Sequence, residues 1–240
     1  ISVLNVPFGL DGQGNFLYIA NQGNGSVEVV DITNPTQPKH AGYIADGQGG
    51  AVLKILYGAI KVRGNYVYVT GRGAPVLEII DVTDPYKPVH ANLIADGAGG
   101  ASIKNPYRFD YKDNYLYILS YEDNALEILD ITNPVYPVHV STLFDGQGGA
   151  RLTRPHIIKV SGGYAYITNY YDNNVEIVDV SNPKIPFHVG NFMSDPTYGT
   201  ILTPHGVGVI GQYPIVTSRT GDLVWTFEAS NVQAPTVSSV

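Results

Sequence analysis

The chain has 240 residues, no cysteine, a formal net charge of −7 and only 14 Lys+Arg. That excludes thiol catalysis, disulfides and Cys-ligated zinc, and it argues against a nucleic-acid partner, whose phosphates call for clustered basic side chains. No run approaches the roughly 18 apolar residues of a membrane-inserted helix, and 27 Gly, 16 Pro and 18 Tyr against 15% charged residues describe many short strands joined by tight turns.

The strand-like runs come in sets. Phe16–Ile19 and Val27–Ile32 are rich in β-forming residues and are followed by an extended run starting near Pro38. The same order returns at Tyr66–Val69, Leu77–Val82 and Pro88, and again at Tyr115–Ile118, Leu126–Ile131 and Pro137. The clearest copy runs through His156–Val160, Tyr164–Thr168, Val175–Val180 and Pro186–Asn191. A looser one holds Tyr213–Val216 and Leu223–Phe227, with the tail 233–240 as its last strand or, alternatively, as a linker into a further domain. Asp31, Asp81, Asp130 and Asp179 each open a D-[IV]-[TS]-[ND]-P turn, at spacings of 50, 49 and 49, and Glu228-Ala229-Ser230-Asn231 stands one period further on.

A period in this range marks a repeat architecture. Four strands cannot bury a hydrophobic face alone, but sheets packed radially on their neighbours can. The spacing therefore predicts an all-β, five-bladed β-propeller with four antiparallel strands per blade. It is a single domain over 1–240, with blades at 1–46, 47–95, 96–145, 146–194 and 195–240. The alternative is a linear solenoid. The ring places Ile1 and Val240 close in space, and the Tyr at i and i+2 of each second strand in the packing between blades.

The turns and strands L-E-I-L-D-I-T-N-P, V-E-I-V-D-V-S-N-P and P-H-x-x-x-V-x-G-x-Y-x-Y resemble the LVIVD-repeat propellers, and Y-A-Y-I-T-N-Y-Y-D-N-N-V resembles the YVTN-type repeats of microbial surface proteins. The resemblance spans nearly the whole chain. It implies a secreted or surface-attached prokaryotic protein, often one domain of a longer chain, and implies no particular chemistry.

Candidate sites come from residues that break the repeat. The first residue of each blade's inner strand is Phe8, Gly58, Tyr107, His156 or His205, at the mouth of the channel on what we term the top face. Two histidines on successive blades suit a metal or an acid–base pair, yet two ligands do not complete a tetrahedral site, and a ring nitrogen can equally hold a loop carbonyl. The loops between second and third strands differ in every copy. They add Arg72, Tyr121, Tyr170 and Arg219, near Arg151 and Arg154. His40, His90, His139 and His188 recur with the period, too dispersed to converge on one ion, and read as scaffold.

The D-G-x-G-G-A loops at Asp46, Asp96 and Asp145 offer one carboxylate each, fewer than a calcium loop gathers, so the Asp reads as a cap on backbone N–H groups. No metal or other cofactor is called for. The expectation is a non-enzymatic extracellular binding or adhesion propeller. It would recognise a glycan, peptide or protein ligand through Arg72, Tyr107, Tyr121, His156, Tyr170, His205 and Arg219. The alternatives are a lyase or hydrolase built on His156 and His205, and an architectural spacer of a surface protein.

Overall fold

The predicted strands form in the computed structural model, which describes residues 4–54, 56, 59–195, 199–220, 223–228 and 236–239. Each set of runs is one four-stranded sheet in sequential order. The first sheet is β1 (Pro7–Gln13), β2 (Phe16–Asn21), β3 (Ser26–Asp31) and β4 (Lys39–Ala45). The second is β5 (Ile60–Arg63), β6 (Tyr66–Gly71), β7 (Ala74–Asp81) and β8 (Val89–Ala95). The third is β9 (Pro106–Lys112), β10 (Tyr115–Ser120), β11 (Ala125–Asp130) and β12 (Val138–Phe144). The fourth is β13 (Ile157–Ser161), β14 (Tyr164–Asn169), β15 (Asn174–Asp179) and β16 (Phe187–Phe192). A small hairpin of β17 (Ser194–Asp195) and β18 (Gly199–Thr200) precedes the fifth sheet: β19 (Pro204–Ile210), β20 (Tyr213–Ser218), β21 (Val224–Glu228) and β22 (Thr236–Ser239). Residues 236–239 of the tail thus form a strand paired with β21, as expected of a last strand. Ile1 and Val240 lie outside the described residues.

The turns behave as their residues dictate. Asp31, Asp81 and Asp179 accept the N–H of the residue two further on at 2.8 Å, closing an Asx turn before the proline. The first-to-second-strand hairpins turn at Gly14, Gly64, Asp113, Gly162 and Gly211, all at positive φ. Each D-G-x-G-G segment is a short 3-10 turn. Asp46, Asp96 and Asp145 accept the N–H of Leu53, Ile103 and Leu152 at 2.9, 2.9 and 2.7 Å, the capping role expected of them.

The chain divides into two compact units, Ile1–Tyr107 with Ile131–Val138, and Arg108–Asp130 with His139–Val240. In the first unit, Tyr18, Ala20, Val27 and Val29 of the first sheet pack on Ile60, Val62, Val67, Val69 and Ile80 of the second. In the second unit, Tyr117, Leu119, Leu126 and Ile128 of the third sheet pack on Ile158, Val160, Ala165 and Ile167 of the fourth. Val175 and Phe192 of the fourth meet Val216, Trp225 and Phe227 of the fifth. Alternation explains this: successive strand residues point to opposite faces, so one apolar sheet offers one face to each neighbour.

The scaffold histidines have partners that the sequence reading did not name. His40, His90, His139 and His188 hold Glu28, Glu78, Glu127 and Glu176 through Nδ1, at 2.9, 2.5, 2.6 and 2.5 Å. All four carboxylates are buried in the third strand of their sheets. A β-bulge beside His40, His90 and His188 sets each imidazole on the same sheet face as its glutamate.

The residue two before each first-strand aromatic or histidine is left-handed although it is not glycine: Val6 at φ 51°, Asn105 at 54°, Arg154 at 48° and Thr203 at 44°. Asparagine tolerates this region, whereas a β-branched residue there is strained by roughly 1–2 kcal/mol. Val6 is exposed and its carbonyl bond from Gln22 N is made by backbone alone. Val6→Asn should therefore stabilise the protein by about 1 kcal/mol. A chemical-denaturation midpoint at or below the parent's would refute strain at this position.

Candidate functional site

One end of the second unit brings together four of the residues expected from sequence. The imidazoles of His156 and His205, one at the start of the fourth sheet and one at the start of the fifth, lie 4.8 Å apart, centroid to centroid. Repeat equivalence produces this: the same position in successive sheets becomes adjacent where the sheets pack. Tyr170, from the loop between β14 and β15, stacks at 5.5 Å from His156 and 6.4 Å from His205. Arg219, from the corresponding loop of the fifth sheet, lies 6.0 Å over the Tyr170 ring, and its Nη1 donates to Tyr170 Oη at 3.5 Å.

The loops are held in place by the next connection along the chain. Asn124 Oδ1 accepts the N–H of Arg154 at 2.8 Å, and Asn173 Oδ1 accepts that of Thr203 at 2.7 Å. Both asparagines are themselves left-handed. Each variable loop is thus tied to the left-handed residue that precedes a histidine. Thr203 Oγ1 also shares a hydrogen bond of 2.8 Å with Thr220 Oγ1 and accepts Thr220 N, fixing the Arg219 loop.

The electrostatics favour neutral imidazole and bound anions. Burial lowers the His205 pKa from its usual 6.5, and the positive charges of Arg219 and Arg108 lower it further. His205 is therefore an unprotonated base at neutral pH. Among the described residues no carboxylate lies within ion-pair distance of Arg219 or Arg154. Nor does any group of three His, Asp or Glu among them gather as metal ligands.

Tyr121 reaches the cluster indirectly. Arg154 lies 5.8 Å from its ring and 5.6 Å from that of Tyr171, and Tyr171 contacts Tyr170 edge-on at 5.2 Å. Arg72 and Tyr107 belong to the other unit, where the guanidinium sits 5.7 Å over the ring and Tyr107 is buried. Phe8 is exposed, and Gly58 lies outside the described residues. Two contributors escaped the expected list of site residues. Arg108 directly follows Tyr107 at the start of a first strand, and Tyr171 directly follows Tyr170, so the loop sequence was the available signal.

Many solved structures carry the same fold. A Bacteroides fragilis protein, provisionally assigned as a 6-phosphogluconolactonase, is 15% identical over 96% of this chain and 68% of its own, with a TM-score of 0.73. The periplasmic gluconolactonase of Pseudomonas aeruginosa is 13% identical over 97% of this chain and 68% of its own, at 0.74. The β-propeller domain of a Myceliophteria thermophila protein is 14% identical over 95% of this chain and 66% of its own, at 0.63. No curated protein matches. Among the described residues no helix is long and apolar enough to cross a membrane.

At these identities the likeness establishes a propeller-type, all-β fold. It also corrects the expected function. Two of these neighbours are named as lactonases, which are hydrolases, and this overturns the expectation of a non-enzymatic binding or adhesion domain. The physical reason is that variable loops over a neutral imidazole and arginines can serve bond cleavage as readily as recognition. The LVIVD repeat model matches residues 12–46, 58–92, 111–143 and 156–194, more than half of the sequence, leaving only the degenerate last copy unmatched. With its repeats, its sheets and this match in agreement, the chain belongs to the LVIVD repeat family.

Proposed function

We propose that the five sheets close as one five-bladed propeller over 1–240, exported from the cytoplasm, and that it hydrolyses cyclic esters at the His156–His205 cluster. The carrying observation is the pair of imidazoles, 4.8 Å apart, with arginine charge beside the one kept neutral. The names of the two lactonase neighbours support the reaction class, and the periplasmic one supports export.

His205 takes a proton from water, whose oxygen attacks the lactone carbonyl carbon. Arg219 and Arg108 stabilise the negative charge that develops on the carbonyl oxygen. The ring C–O bond then breaks, and the imidazolium of His205 returns the proton to the departing ring oxygen. The product is a hydroxy acid. His156 and Tyr170, packed against His205, set the plane of its ring.

A panel of five- and six-membered lactones, followed by acid release in a pH-stat, tests this. His205→Gln should lower kcat/KM about 100-fold, as loss of a general base does. Activity of the parent should fall as pH drops through the lowered His205 pKa, giving an acid limb centred below 6.5. A parent inert on every lactone, or a His205→Gln variant of equal activity, refutes the proposal.

A further inference from the structure

Arg154 is exposed, yet both its backbone and its side chain are held in place. Its backbone is held left-handed at φ 48°, a conformation that survives only where the surroundings impose it, and Asn124 Oδ1 imposes it through the backbone N–H. Its guanidinium lies 5.8 Å from the Tyr121 centroid and 5.6 Å from that of Tyr171. Both rings hold the guanidinium through its charge, an interaction that uses none of the N–H donors along its planar edge. That edge matches two oxygens of a carboxylate or phosphate. No carboxylate among the described residues lies within ion-pair reach of it. The surroundings are basic too, with Arg219 and Arg108 beside His205, in a chain whose net charge is −7. An acidic protein that concentrates arginine at one site has built that site for an anion.

Contact runs unbroken from this guanidinium to the imidazoles. Arg154 touches Tyr171, Tyr171 touches Tyr170 and Tyr170 touches His156 and His205. We propose that Arg154 is the anion subsite of this site, so that the substrate is a lactone carrying a carboxylate or phosphate on the part of the molecule remote from the reacting ester. The inference rests on the hydrolase reading for the word lactone, and on the Tyr121–Arg154–Tyr171 geometry for the word anion.

Glucono-lactone, a glucaro-lactone and glucono-lactone 6-phosphate supply neutral, carboxylate and phosphate arms. The parent should prefer one anionic arm over the neutral one by roughly 10- to 100-fold in kcat/KM, the worth of a charge-assisted hydrogen-bond pair. In Arg154→Gln that ratio should collapse towards one, chiefly through KM. Glutamine meets the same backbone demand and keeps the N–H that Asn124 accepts, so folding should survive, as a thermal melt would show. Arg154→Lys should restore charge without the planar edge and recover only part of the ratio.

Equal use of neutral and anionic lactones by the parent, or an unchanged ratio in Arg154→Gln, overturns the subsite. If no lactone is hydrolysed, the hydrolase reading fails by itself. Calorimetric titration with glucarate and with 6-phosphogluconate then decides the subsite. Binding that disappears in Arg154→Gln upholds it, and no binding, or binding indifferent to the substitution, ends it.

Discussion

Tyr68→Ala should destabilise the protein by about 3–5 kcal/mol, the cost of removing a large aromatic from a packed interior. Tyr68 is fully buried in β6, and its hydroxyl donates to the Pro134 carbonyl at 3.0 Å, within the same unit. Burial pushes that hydroxyl's pKa up to about 12, so it stays a donor throughout the working pH range. Tyr68→Phe separates the two contributions: it keeps the ring and forfeits only the hydrogen bond, leaving the Pro134 carbonyl unsatisfied at about 1–3 kcal/mol. Urea titration of both variants provides the measurement. An alanine variant as stable as the parent would show that the ring packs against nothing of consequence.

Glu176→Gln should gain on the parent as pH rises. Burial pushes the Glu176 carboxyl from 4.5 up to about 7, against the pull of the His188 hydrogen bond and of Arg151. A carboxyl with a raised folded-state pKa binds its proton more tightly folded than unfolded. Stability is therefore undiminished below about 4.5 and declines as pH climbs to 7, where the buried group ionises. Glutamine never ionises. Relative to the parent it should gain about 3 kcal/mol between pH 4.5 and pH 8, at 1.36 kcal/mol per pKa unit. Denaturation curves at the two pH values test this, and a constant difference between the proteins would mean that Glu176 does not titrate in this window.

The repeated scaffold was legible because each copy meets the same local demand with the same residues. Asp before Thr or Ser and then Asn-Pro or Asp-Pro closes one kind of turn wherever it occurs, and Tyr-x-Tyr fills one kind of strand. The His–Glu pairs were half legible. The twelve-residue separation of His188 from Glu176 recurs as His40 from Glu28, but the bulge that places both on one face leaves no mark in composition. The fifth sheet departs from the pattern because Trp225 stands where the glutamate would be, and the apolar ring packs on Phe192 instead.

At the site, His156 and His205 could be paired from sequence, since equivalent positions of neighbouring repeats become neighbours in space. Arg154 could not be given its partners. Which rings it meets depends on a left-handed backbone that an arginine rarely adopts and that an asparagine thirty residues earlier imposes. Arg72 and Tyr107, expected in the same site as the histidines, form a contact of their own in the other unit.

The asparagine braces have an evolutionary corollary. Asn124 and Asn173 grip a main-chain N–H, so they enforce the same geometry whatever side chain the gripped residue carries: arginine in one repeat, threonine in the next. The position can thereby be rewritten without rebuilding its support, at no more than the modest strain that a β-branched residue brings there. A lineage that keeps the asparagine can exchange a cation for a hydroxyl at a fixed point beside the imidazoles in a single codon, and so trade one substrate charge for another while the scaffold stays untouched.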